Sequence, residues 1–91
     1  MMLSYERLNI QEVSQEQRET MPTGDYVMGV YDGETLIAYG ALNLQGDHAI
    51  IQSKTLQEEL YKHRNVMRPM YRLLEAECKQ QQIRHIEYQG Q

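Results

Sequence analysis

Two β-prone runs, Tyr26–Tyr31 and Thr35–Leu44, flank the dipeptide Asp32-Gly33. A tight reversal between two strands needs positive φ, and glycine supplies it without steric cost. This spacing predicts a β-hairpin. A second turn signal, Gln45-Gly46-Asp47, leads into a third β-prone run, His48–Thr55, so the centre of the chain reads as an antiparallel meander. Leu36, Ala38, Gly40, Leu42 and Leu44 alternate onto one face of the middle strand. Ile37, Tyr39 and Ala41 take the other. Both faces are apolar, which predicts a central strand covered on both sides.

Elements before and after the meander complete the pattern. Leu3–Leu8 reads as a first strand. Ser14 with Gln17 fits a capping box and predicts a short polar helix over Gln15–Thr20, ended by Pro22-Thr23-Gly24. Thr55 with Glu58 makes a second capping box, predicting a short helix near Leu56–His63. Pro69 is tolerated only in the first turn of a helix, because deeper in its ring clashes with the preceding turn. Asn65 as N-cap would place it there, with the helix running to about Gln81. Met67, Met70, Tyr71, Leu74 and Cys78 recur at helical spacing and form an apolar stripe. Ile83–Tyr88 reads as a closing strand. A strand, helix and strand in succession imply a parallel pair joined by a crossover. The expected class is α+β with the order β-α-β-β-β-α-β: an antiparallel meander plus a parallel β-α-β crossover at the C-terminal end.

At 91 residues the chain makes one small domain, residues 1–91. It has no Phe or Trp; its aromatics are seven tyrosines, and hydrophobic residues are 41%. A domain of this size buries about 60% of the surface its unfolded chain exposes. The core is therefore thin, and self-association would support it. No apolar window is long enough for a membrane helix, and no leader pattern opens the sequence. The expected setting is cytoplasmic. One cysteine excludes an internal disulfide, and the separated His48, His63 and His85 give no zinc spacing. Net charge −4 argues against nucleic acid as a partner of the whole domain.

The charge is uneven along the chain. Residues 1–53 hold two arginines against eight acidic residues, net −6, whereas residues 54–91 hold seven Lys/Arg against five Glu, net +2. Lys62, Arg64, Arg68 and Arg72 form a local basic patch with no acid between Tyr61 and Leu73. An oriented contact with an anionic surface would use it; a solvated helix face is the plainer reading.

Tyr26-Val-Met-Gly-Val-Tyr-Asp-Gly-Glu-Thr-Leu-Ile-Ala-Tyr-Gly-Ala-Leu42 resembles the hairpin of the GCN5-related N-acetyltransferases (GNATs). His63-Arg64-Asn65 is similar to the Y-R-G that opens that family's acyl-CoA loop, and Leu73-Leu74-Glu75-Ala76 to the L-L-E-A of its next helix. The likeness spans residues 3–88 and rests on element order and pattern more than on identical motifs. It implies acetyl-CoA as cofactor, with Arg64, Asn65 and Arg68 as the candidate pyrophosphate site. The family's loop is Q/R-x-x-G-x-G/A, whose glycines let backbone N–H groups close on the pyrophosphate. Here Arg64-Asn65-Val66-Met67-Arg68-Pro69 holds no glycine, β-branched Val66 resists left-handed geometry, and Pro69 removes a donor. The resemblance also leaves the family's last helix and strands without a counterpart. Short forms of this fold occur among tailed-phage proteins, including GNAT-like internal virion proteins of small podoviruses, and the chain resembles those. That likeness implies a place in the host cytoplasm or the virion.

Candidate chemistry is sparse. A GNAT commonly uses a glutamate on its fourth strand, or a bound water, to deprotonate an amine. The matching strand offers Gln52, Ser53 and Lys54, with Glu58 and Glu59 just beyond; those two read more simply as a capping and a solvated residue. Tyr88 can donate a proton to a thiolate or serve in packing. His63 can titrate near neutrality or lie on the surface. Cys78, on the apolar stripe, reads as a small buried hydrophobe. Three functions follow. The first is a non-catalytic GNAT-like interaction module, phage-encoded in the likeness, that binds a host or virion protein or forms a homodimer through Arg64, Arg68, Arg72, Tyr61 and Tyr88. The second is a minimal acyl-CoA-dependent N-acetyltransferase. The third is an acidic nucleic-acid mimic acting as a regulator. No metal is expected in any of them.

Overall fold

The computed structural model describes residues 2–8, 15–20, 24–56 and 65–89. Their order is β1 (Leu3–Arg7), α1 (Gln15–Thr20), β2 (Tyr26–Asp32), β3 (Thr35–Gln45), β4 (His48–Thr55), α2 (Arg68–Gln80) and β5 (His85–Gln89). The helix expected near Leu56–His63 lies outside the described residues. The strands form one mixed sheet in the order β1-β2-β3-β4-β5. Neighbours are antiparallel except β4 and β5, which run parallel from His48↔His85 to Gln52↔Gln89. The chain is thus a small α+β domain.

Both hairpin loops are two residues long, Gly33-Glu34 and Gly46-Asp47, closed by the pairs Asp32↔Thr35 and Gln45↔His48. Gly33 and Gly46 each have φ of 64°, while the acid that follows each does not have positive φ. One left-handed residue, at the first loop position, is the pattern of a type II′ turn, whose twist matches the flanking strands.

The middle strand is covered on both sides, but not with the phase that simple alternation gives. The β2–β3 register shifts at Val30/Tyr31, so Val30 faces Ala38 and Tyr31 faces Leu36, leaving Ile37 as the extra residue of a bulge. A bulge flips the faces of the residues before it. Leu36 therefore packs with Val27, Tyr39 and Ala41, and Ile37 joins Met28, Val30, Ala38 and Leu42 on the opposite side. The expected grouping is corrected at these two positions.

Helix α2 lies on the face that carries Ile37. Its Met70, Leu74 and Cys78 are fully buried, with Met67 and Tyr71 packed at the margin, as the apolar stripe predicts. Gly40 makes this approach possible: a Cβ there would stand 2.7 Å from Met70 Cε. The expected N-cap is corrected as well. Met67, not Asn65, caps α2, without a side-chain cap bond, and Pro69 falls in the first turn. Val66 is the reason: its side chain is buried and so anchors the approach to the helix one step later.

The far end of α2 closes as a Schellman motif. The Ile83 N–H donates to the Cys78 carbonyl at 2.9 Å, and the Gln82 N–H to the Lys79 carbonyl at 3.1 Å. Gln82 takes the left-handed position, at φ 60°, where glycine is usual. Ile83 then packs against the core and directs the chain into β5.

Candidate functional site

The expected site residues that are described fall at two places flanking α2. Arg68 is the first residue of the helix and Arg72 stands one turn later; both are exposed. With Pro69 they line a shallow depression of about 300 Å³. No acidic residue occupies the first turn of the helix. The helix dipole and two guanidinium groups therefore make this end positive. Asn65 is exposed and does not cap the helix. Tyr61, His63 and Arg64, like Glu58 and Glu59, lie outside the described residues. Within the first turn Pro69 has no N–H, so backbone donors toward an anion come from Arg68 and Met70 alone.

The second place is where α2 crosses β4 and β5. The hydroxyls of Ser53 and Tyr71 are 2.5 Å apart, and Ser53 is almost fully buried. The Tyr71 and Tyr88 rings meet edge to face with centroids 5.8 Å apart. The Tyr88 hydroxyl donates to the Glu75 carboxylate. That bond, with burial next in importance, pushes the Tyr88 phenol up to about 12. A phenol held there is a weaker acid than an ordinary thiol at about 8.5. Tyr88 is therefore poorly matched to protonating a leaving thiolate, and it pins Glu75 while clamping helix to strand. Cys78 is fully buried, and its thiol is pushed up first by burial and then by Glu75 and Glu77. It is not a nucleophile in this setting.

Beyond the clamp lies the outer edge of β5. Among the described residues no strand pairs with that side. Of its residues only Ile86 is half-buried; His85, Glu87, Tyr88 and Gln89 are exposed. A groove of about 530 Å³ runs beside it, lined by Glu75, Lys79, Gln82, Ile83, Arg84 and Ile86.

No protein-family model, curated protein or solved structure matches the chain.

Among the described candidates, Arg68 and Arg72 line the depression while Tyr88 stands in the clamp with Glu75, so these three do not share one pocket. Sequence reasoning missed the groove and the pairing of Ser53 with Tyr71. The available signal was Tyr71 and Glu75 one helical turn apart, two polar tips on the margin of an apolar stripe, which marks a helix flank laid against a polar strand end. Among the described residues no three His, Cys, Asp or Glu side chains are placed to hold a metal ion, and no helix is long and apolar enough to cross a membrane.

Proposed function

We propose that the chain is a non-catalytic GNAT-like interaction module that binds a protein partner along the outer edge of β5. The observation that carries this reading is the edge itself: a strand side with which no other strand pairs among the described residues, with one residue half-buried, a half-exposed tyrosine and a groove alongside. Such an edge is a template for strand addition, with backbone bonds giving affinity and side-chain pockets giving selectivity. The exposed Arg68 and Arg72 would orient an acidic partner. By the phage likeness that partner would be a virion or host protein.

One observation favours the second reading, a minimal acyl-CoA-dependent N-acetyltransferase. Strand β4 runs on to Thr55, past its last pairing with β5 at Gln52↔Gln89. An acyl-CoA arm could lie along that stretch, with its pyrophosphate at the positive start of α2. Two backbone donors and a Tyr88 phenol tied to Glu75 weigh against it. The acidic-mimic reading is weaker, since acids at the turns are engaged within the chain: the Leu44 N–H donates to Asp25 at 2.8 Å and the Met2 N–H to Asp32 at 3.3 Å.

Calorimetric titration with acetyl-CoA tests the choice. The interaction module gives no saturable heat. A saturable heat lost on Arg68→Ala overturns it in favour of the acyltransferase.

A further inference from the structure

The backbone polarity of β5 and the side chains along it select one occupant for the edge that no strand covers among the described residues. The hairpin pair Gln45↔His48 turns the His48 backbone toward β3 and that of Ala49 and Ile51 toward β5, so in the register His48↔His85 the His85 backbone faces β4; its N–H donates to the Asp47 carbonyl at 3.4 Å, shared with the Arg84 N–H at 3.2 Å. Strand backbone groups alternate sides, so His85, Glu87 and Gln89 turn theirs toward β4, and Ile86 and Tyr88 present theirs to the open edge. We infer that this edge pairs antiparallel with β5 of a second copy of the chain, about a twofold axis at Ile86. The inference rests on the interaction-module reading and names its partner.

Two twofold registers keep every partner of Ile86 and Tyr88 within the described residues of this segment, and the side chains separate them. An axis at Glu87 sets Glu87 directly against its own copy, a like-charge pair at the closest approach of two strands. An axis at Ile86 sets Ile86 against Ile86 and each His85 against a Glu87, an imidazole facing a carboxylate. It also sets the second copy's Tyr88 opposite Arg84, which lines the groove beside β5 and whose carbonyl can accept from the Tyr88 N–H, while its own N–H already donates to the Asp47 carbonyl at 3.2 Å. The half-exposed phenol ring, its hydroxyl still tied to Glu75, then has a guanidinium beside its free face. Both copies make the same contacts, as a closed twofold interface requires.

The test is solution mass by sedimentation across protein concentrations. The wild-type chain is expected to approach twice its 10.8 kDa as concentration rises. Ile86→Pro removes an outward N–H that β4 does not use, and is expected to leave a folded monomer. His85→Glu faces Glu87 of the second copy and is expected to weaken the dimer at least tenfold, with His85→Glu/Glu87→Lys restoring it. This pair needs no proline and keeps the test intact where Ile86→Pro fails to fold. A monomer at every concentration overturns the inference, as does a dimer that His85→Glu leaves unchanged. A monomer that also gives no heat with acetyl-CoA refutes self-pairing alone, leaving the interaction reading with a different partner. Saturable acetyl-CoA heat refutes that reading itself.

Discussion

The Tyr5 hydroxyl donates to the Val66 carbonyl across 2.7 Å, fastening the first strand to the residue before the N-cap of α2. The bond joins positions 61 apart in sequence, and Val66 itself is buried. Tyr5→Phe strands that carbonyl and is expected to cost about 1 kcal/mol. Denaturant unfolding of the two proteins measures it; an unchanged midpoint would show that water satisfies the carbonyl instead.

Glycines at two close approaches should respond differently to one added methyl group. At Gly24 a Cβ would stand 2.6 Å from the Leu42 carbonyl oxygen, which is backbone held in the sheet. At Gly40 it would meet the end of the Met70 side chain, which can swing away. Gly24→Ala is expected to destabilise by about 2–3 kcal/mol and Gly40→Ala by about 1 kcal/mol. Thermal unfolding ranks the two, and the reverse order would contradict this account of the packing.

Gln82 occupies a left-handed position that a side chain disfavours. Gln82→Gly keeps the backbone bonds to Cys78 and Lys79 and removes that strain. It is expected to raise stability by about 0.5–1 kcal/mol, read from the denaturation midpoint.

Alkaline pH should loosen the helix–strand clamp. The Tyr88 phenol is raised from 10.0 to about 12 in the folded chain, chiefly by its bond to Glu75. A raised value means that the folded state holds the proton more tightly than the unfolded state. The stabilisation is complete below about pH 10 and is lost as pH rises toward 12. Tyr5 is raised in the same direction by burial. Tyrosinate absorbance should show one high-pH transition removed by Tyr88→Phe, and Glu75→Gln should bring it back toward the ordinary tyrosine range. A Tyr88 that titrates with the ordinary tyrosines would contradict the clamp.

Much of the strand pattern is legible in the sequence because it is local. Asp32-Gly33 and Gln45-Gly46-Asp47 mark their own turns, and the period of Met70, Leu74 and Cys78 marks the buried side of α2. What fails is set by distant packing. The bulge at Ile37 exchanges the faces of two residues without changing composition. The N-cap shifts from Asn65 to Met67 because Val66 finds a place in the core, a fact that no capping preference carries. Gln82 takes the left-handed cap that a sequence reader assigns to glycine. The candidate site was half legible: Arg68 and Arg72 declare themselves by spacing, while the β5 edge emerges only when the strand order is known.

Amide exchange along β5, followed residue by residue at rising protein concentration, tests the role of that edge most directly. Covering of the edge would make the Ile86 and Tyr88 amides gain protection with concentration until they match His85 and Glu87. Alternating protection that persists at every concentration, slow at His85 and Glu87 and fast at Ile86 and Tyr88, would contradict self-association at the edge.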